Sequence, residues 1–324
     1  MSPSKFVNRL GLYLRPDPSR VVVRPFKPAT EPRDLNPTDK VRANHIVSRV
    51  LRLDAEASVQ QLREVLENFG GRHRNLLEIF EARAAEMEEA LDPHAPLSKT
   101  QRGLIGAYFL NEYSFEASAL FNPSIVRHPD QTGAPEHGCR FILSLRAVGE
   151  GHVSSLTFRS GAIAADGSVS VDPPARLASV PVVRKRTSVA NGHDVEVIFR
   201  PDEELSERVI FPVTDAQSNG IEDARFVEFN DNGQKTFYAT YTAYSGRAIR
   251  SELLTTADFQ SFRMTPLGGS SSRNKGMALF PRKIDGRYAM IARQDNENLY
   301  LIYSNDLYSW EGGQPILQPQ YPWE

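Results

Sequence analysis

Four short clusters in this chain carry side chains able to act on a polar substrate. Glu222-Asp223 sets two carboxylates side by side within Gly220-Ile221-Glu222-Asp223-Ala224-Arg225, just ahead of a strand pattern. Neighbouring side chains on an extended chain point to opposite faces. One of the two is therefore expected to face a cleft, and the other to pack on a sheet or bind a backbone amide. A carboxyl in a cleft can give or take a proton. Arg273-Asn274-Lys275-Gly276 runs into the apolar entrance Met277-Ala278-Leu279-Phe280-Pro281, which could set the Lys275 ammonium inside a cleft. Arg247 and Arg250 lie on the preceding segment, and cations grouped in this way bind anions such as phosphate. Arg146 ends a strand pattern and is followed by Glu150-Gly151-His152 and Ser154. Its planar fork of donors suits sugar hydroxyls or an anion. Phe121-Asn122-Pro123-Ser124 leads into another strand. Each cluster also has a plain reading: Asn-Pro-Ser as a turn, Glu-Asp as a loop, and the cations as solvated surface charge.

The elements that must position these groups change character along the chain. Residues 1–35 are rich in Pro and Arg without a steady period, and read as an extended arm with one short strand at Val21-Val22-Val23. Residues 36–118 read as about four helices. Asn36-Pro37 is a helix start, a capping side chain followed by Pro at the first helical position. Ser58 with Gln61 reads as a capping box, followed by Val59, Leu62, Val65, Leu66 and Phe69 on one face and a stop at Gly70-Gly71. Leu77, Phe80, Ala84, Met87 and Leu91 form the next stripe, ended by Pro93, and Ser98 with Gln101 caps a further helix through Leu104, Ala107 and Tyr108.

Residues 119–324 switch to strand periodicity. Strands are expected at Phe141–Leu145, Val195–Phe199, Arg225–Phe229, Thr236–Thr242, Tyr288–Ala292 and Leu299–Ser304. Asp166-Gly167, Asn191-Gly192, Asn232-Gly233 and Asp285-Gly286 punctuate them as turns. Gln314 to Glu324 reads as Pro-rich coil without a closing strand. Ala257-Asp258-Phe259-Gln260-Ser261-Phe262 is echoed 48 positions later by Asn305-Asp306-Leu307-Tyr308-Ser309-Trp310. A repeat of about 40–50 residues built from antiparallel strands suggests propeller blades, each needing its neighbours to cover its sheet faces. Arg146, Thr242 and Arg293 sit at matching ends of three such strands and are expected to converge on one pocket.

Bulk properties narrow the class. The chain has 324 residues, 40% hydrophobic and 24% charged, with a formal net charge of -2. That balance favours neither nucleic acid nor an anionic membrane surface as a partner. The single cysteine, Cys139, excludes an internal disulfide, and no Cys/His spacing suits zinc, so no metal is expected and a reducing, cytoplasmic compartment fits best. No apolar run has the length of a signal peptide core or a membrane span.

Taken in order, the clusters resemble glycoside hydrolase family 130, the β-mannoside phosphorylases and related β-mannosidases. The matching residues are Asn122-Pro123-Ser124, Arg146, Glu222-Asp223-Ala224-Arg225, Tyr241-Thr242-Ala243, Asn274-Lys275 with Leu279-Phe280-Pro281, and Ser304-Asn305-Asp306-Leu307 with Trp310. The resemblance implies a mainly β fold, a five-bladed β-propeller, here incomplete and carrying an N-terminal α-helical extension. It implies Asp223 as the general acid and Asn122, Ser124 and Arg146 as mannosyl-binding residues. Arg293 and Asp295 would lie toward the acceptor sugar, and Lys275, with Arg247 or Arg250, would bind phosphate. The implied reaction is inverting phosphorolysis of a β-linked mannoside oligosaccharide to mannose 1-phosphate, with inorganic phosphate as co-substrate and no other cofactor. The helical extension is the expected route to a homo-oligomer.

Residue types fit that chemistry. An inverting hydrolase needs an acid and a second carboxylate to activate water. A phosphorylase needs only the acid, together with cations that collect and align the anionic nucleophile. Glu222 or Glu150 could still serve as a base, so a β-mannoside hydrolase stays open, as does a non-catalytic, carbohydrate-binding degenerate propeller. The strand region holds roughly four units of the repeat length, and the family's later His segment has no counterpart, since every His precedes residue 194. A C-terminally truncated fragment of a longer enzyme is the expectation.

Overall fold

Helix starts in the first third follow from which side chain can hold a free amide. The computed structural model describes residues 9–26, 42–91, 97–231 and 233–323. Asn36-Pro37, Pro93 and Asn232 lie outside the described residues. Two units are distinguished, one formed by Arg20–Ser114 with Arg176–Ser179, the other by Met1–Ser19, Phe115–Ala175 and Val180–Glu324.

The helical unit opens with strand β1 (Val21–Pro25), antiparallel to β2 (Leu110–Ser114). Between them come α1 (Arg42–Leu51), α2 (Ala55–Phe69), α3 (Leu76–Leu91) and α4 (Lys99–Tyr108). The Ser98–Gln101 capping box is present at α4. At α2 the cap is Asp54, which accepts the Ala57 N–H at 2.7 Å, and Ser58 is buried inside the helix rather than capping it. An Asp at the N-cap outcompetes a Ser one turn later because its charge also suits the helix dipole. Val47, Val50, Met87, Leu104, Ile105 and Phe109 form the core of this unit. Helix α4 reaches it through Gly106, where an added Cβ would stand 1.9 Å from the Phe80 carbonyl oxygen.

Strand β2 carries Glu112 into a charged knot. Its carboxylate accepts from Arg72 Nε at 2.8 Å and Nη2 at 3.0 Å, and from His73 Nε2 at 2.6 Å. Burial lowers the His73 pKa below its ordinary value, and the Glu112 contact offsets this only in part. Burial would raise the Glu112 carboxyl, but the Arg72 and His73 hydrogen bonds prevail and lower it. The folded state thus favours neutral His73 and ionised Glu112. Acid penalises both, so the His73 contribution is complete above about pH 6.5 and is lost as pH falls below it. We expect urea midpoints read by helical circular dichroism to fall as pH drops below about 6.5, and His73→Gln to flatten that fall.

The second unit is all β in its named strands. Strand β3 (Ala119–Arg127) pairs with β4 (Cys139–Val148), and β4 with β5 (Ser154–Ile163); β6 (Val169–Val171) adds to β5. Strand β7 (Val182–Val189) pairs with β8 (Gly192–Ile198), and the short β9 (Val209–Ile210) also joins β5. A meander follows: β10 (Gly220–Asp231), β11 (Gln234–Tyr244), β12 (Ile249–Thr256) and β13 (Ser261–Pro266), with β13 receiving β8 on its far side. These eleven strands form one sheet, but β5 and β10 meet only at Ser154 and Gly220. A last meander holds β14 (Ala278–Leu279), β15 (Tyr288–Ala292), β16 (Leu299–Ser304) and β17 (Gln314–Leu317). Strand β17 corrects the expected coil: Gln314–Leu317 pairs with β16, and its Pro315 is tolerated because β17 is an edge. The opening strands of the meanders are neighbours, β3 beside β10 and β10 beside β14.

The echoed segments share one construction. Asp258 Oδ1 accepts the Gln260 and Ser261 amides, and Asp306 Oδ1 accepts the Tyr308 amide. The residue after each Asp is buried, Phe259 and Leu307, and so is the aromatic that closes each segment, Phe262 and Trp310. The repeated Asp makes the turn, and the repeated apolar pair plugs a sheet face.

Candidate functional site

The site begins with two irregularities in strand pairing. Along β3 the register passes from Phe121↔Arg146 to Ser124↔Ser144, so one extra residue enters β3. Along β10 it passes from Glu222↔Thr242 to Arg225↔Thr240, again one extra residue. Each is a β-bulge, which bends its strand and re-aims side chains. The second residue of each segment takes a positive φ, +50° at Asn122 and +52° at Asp223. Asn and Asp accept that left-handed conformation more readily than other non-glycine residues, which accounts for the residue types found there.

The two bulges face each other. Asn122 Nδ2 donates to Asp223 Oδ1, and Arg146 Nη1 donates to the same oxygen at 3.1 Å. Arg146 Nη2 donates to Glu222 Oε1 at 2.7 Å, and its Nε to Ser154 Oγ at 3.0 Å. The guanidinium stands 5.1 Å from the Phe121 ring centroid, completing its enclosure. Ser124 Oγ accepts the Phe226 amide at 2.8 Å and ties β3 to β10. The strands thus gather Asn122, Ser124, Arg146 and Asp223 from positions up to 101 residues apart. One expectation needs correcting: Glu222 and Asp223 do not diverge but reach the same guanidinium, because the bulge breaks the alternation that an extended strand would impose.

A second feature lies at the entrance to β14. Arg273, Asn274, Lys275, Arg293 and Asn296 line an open cleft of about 660 Å³. Arg225 Nη1, on the strand that carries Asp223, donates at 3.1 Å to the carbonyl of Gly276, the residue after Lys275. Ser251 Oγ holds the Asn274 carbonyl at 2.6 Å, and Asn274 Oδ1 accepts the Lys275 amide at 2.8 Å. Arg293 Nη2 donates to Asn296 Oδ1 at 3.1 Å on the cleft wall. The cleft gathers three cationic side chains, Arg273 and Lys275 on a loop pinned to β10 and β12 and Arg293 just after β15.

The other expected residues sit elsewhere or have other partners. Arg250 directs Nε at 2.7 Å to Glu252 and Nη1 at 2.6 Å to the Asn191 carbonyl, although its neighbour Ile249 lines the cation-bearing cleft. Arg247 is exposed in the turn between β11 and β12. Asp295 accepts the Asn298 side chain, the Glu297 and Asn298 amides and the Tyr300 hydroxyl, which together hold its carboxyl far below the usual range. It acts as an ionised anchor of its own loop. Glu150 is exposed in the turn after β4.

Beneath the β10 bulge, on the facing strand, Tyr241 is buried and donates its hydroxyl to Glu252, and Gln217 Nε2 bonds both groups, at 3.0 and 2.8 Å. Burial first, then the Glu252 charge, pushes the Tyr241 phenol well above its ordinary value. Sequence reasoning singled out Tyr241 but not Glu252 or Gln217, and named Arg273 in the Lys275 cluster without giving it a role. The alternation of β12 gave no reason to expect a buried carboxylate at Glu252.

Residues 190–324 match the family model described as β-1,4-mannooligosaccharide phosphorylase, a span that includes Glu222-Asp223 and Lys275. Over these residues, less than half of its length, the chain is similar to glycoside hydrolase family 130. Two curated relatives are similar over short stretches. A 117-residue segment is 28% identical to the 1,2-β-oligomannan phosphorylase of Thermoanaerobacter sp. (strain X514), covering 36% of this chain and 38% of that protein. A 115-residue segment is 30% identical to the β-1,2-mannobiose phosphorylase of Listeria innocua serovar 6a, covering 33% of this chain and 30% of that protein. The chain thus spans only about a third of the length of the curated relatives it matches. Among solved structures, the Listeria innocua β-1,2-mannobiose phosphorylase in complex with β-1,2-mannobiose gives a TM-score of 0.36 at 18% identity, over 63% of this chain and 60% of that one. A glycosyl hydrolase from Bacteroides ovatus gives 0.38 at 14% identity, over 64% and 52%. Asn122, Ser124 and Arg146 lie outside the family 130 match; the folded strands, not the match, bring them to Asp223.

Proposed function

We propose that this protein cleaves β-mannosides by inverting phosphorolysis, with Asp223 as general acid. The observation that carries the reading is the pairing of one presented carboxylic acid with a cation-lined cleft on the adjoining loop, joined through Arg225 and the Gly276 carbonyl. Asp223 protonates the glycosidic oxygen as the bond from the anomeric carbon breaks. Phosphate, collected by Lys275 with Arg273 and Arg293, forms the new bond to that carbon from the opposite side. The leaving sugar departs with the proton, and the mannosyl unit departs as α-mannose 1-phosphate. Asn122, Ser124 and Arg146 border the mannosyl position. We read the three meanders as blades of the family's propeller, a reading supported by their neighbouring first strands.

Glu222, the nearest second carboxylate, is bonded to Arg146, which favours phosphate over water as the nucleophile. The test is incubation with β-1,2- and β-1,4-mannobiose, with and without phosphate. Mannose 1-phosphate formed only with phosphate is expected. Free mannose formed without it would establish hydrolysis instead. Lys275→Ala should raise the KM for phosphate about 10- to 100-fold, the loss of one charge-assisted hydrogen bond, with a smaller change in the KM for mannobiose. Initial rates over a phosphate series would check this.

A further inference from the structure

Arg146 stands between two carboxylates, and only one of them can be the acid. Glu222 Oε1 and Asp223 Oδ1 share its guanidinium, at 2.7 and 3.1 Å. Their side chains are 14% and 29% exposed and that of Arg146 is 17% exposed, so water does little to solvate an unpaired charge here. A guanidinium in such a place needs an ionised partner. If Asp223 were that partner, it would have no proton to give.

We propose that Glu222 is a positioning residue that serves as the permanent counter-ion of Arg146, leaving Asp223 free to hold the transferable proton. The same clamp chooses the oxygen. Asn122 Nδ2 and Arg146 Nη1 both donate to Oδ1, so Oδ1 is the acceptor and Oδ2 carries the proton toward the glycosidic oxygen. Ser154 and the Phe121 ring hold the guanidinium so that it presents one nitrogen to each carboxylate. On this account Glu222 acts through Arg146 and never contacts the reacting atoms. The inference rests on the phosphorolysis reading and adds to it a reason why an acid can work beside an arginine.

The test compares Glu222→Gln, which keeps shape and removes charge, with Glu222→Asp, which keeps charge and changes reach. Each is assayed with phosphate on mannobiose, whose leaving oxygen needs a proton, and on 2,4-dinitrophenyl β-mannoside, whose leaving group does not. Glu222→Gln should lose on the order of 100-fold in kcat on mannobiose, keep KM for both substrates within about threefold, and stay near wild type on the aryl mannoside. Glu222→Asp should recover part of the mannobiose rate. Asp223→Asn should show the same leaving-group dependence. Equal losses on both substrates, wild-type kcat on mannobiose, or Glu222→Gln outperforming Glu222→Asp would each overturn the assignment. Absence of mannose 1-phosphate from the wild-type protein would instead overturn the phosphorolysis reading, so the two failures are distinguishable.

Discussion

Asp223→Asn should reduce phosphorolysis of mannobiose by about 10²- to 10⁴-fold in kcat, the range associated with a positioned general acid. Asn preserves the left-handed backbone at φ +52° and still offers an oxygen to Asn122 and Arg146. The loss should therefore fall on kcat, with thermal stability near that of the wild type. Asp223→Ala makes the contrast. It places a residue without a short polar side chain at a left-handed position and removes one partner of Arg146. It should cost both rate and stability. Mannose 1-phosphate release and a melting curve for the two variants read these effects separately. An Asn variant with wild-type kcat would remove Asp223 from the acid role.

Trp310→Ala should destabilise the β unit by about 3–5 kcal/mol, the usual cost of truncating a large buried aromatic. Trp310 is fully buried, its Nε1–H donates to the Leu307 carbonyl at 2.8 Å, and its backbone pairs with Gly268 and Ser271. Its cluster joins Phe229 and Leu253 of the meander that carries Asp223 to Leu279, Met290 and Ile302 of the meander beyond the cation-bearing loop. The cavity would loosen the loop that holds Lys275 relative to β10. Trp310→Ala should thus also raise the KM for phosphate at temperatures where the fold persists, whereas Trp310→Phe should give a smaller loss of both. Urea denaturation followed by phosphate kinetics at low temperature would check the pair of effects.

Much of the secondary structure could be read from local pattern, because local chemistry decides it. The strands at Tyr288–Ala292 and Leu299–Ser304 are short runs of apolar and aromatic residues and appear with those bounds. Strand β5 escaped notice because its sequence, SSLTFRSGAI, mixes hydroxyls and an arginine with apolar residues on both faces, and the fold buries them by pairing. Arg159, nearly inaccessible, is satisfied there by Glu116 at 2.9 Å. Strand β7 was missed for the opposite reason: VVRKRTSV is exposed along its whole length and shows no buried face. The site residues Asp223, Asn122 and Arg146 could be named from residue type and order. Their mutual arrangement could not, since a bulge leaves no mark on hydrophobic periodicity and a contact across 101 positions leaves none on local sequence. The same gap explains Arg250: a charged residue on a strand says nothing of whether it faces a cleft or a buried Glu252.

The two added residues in β3 and β10 have a consequence for how this region can vary. Pairing resumes with the same partners beyond a bulge, so a strand that loses its surplus residue keeps the rest of its ladder but loses the bend and the re-aimed position. Removing one residue between Phe121 and Ser124, or between Glu222 and Arg225, would turn Asn122 or Asp223 away from its counterpart while leaving the composition almost intact. The chain length of these two segments is therefore more tightly constrained than the identity of most residues within them.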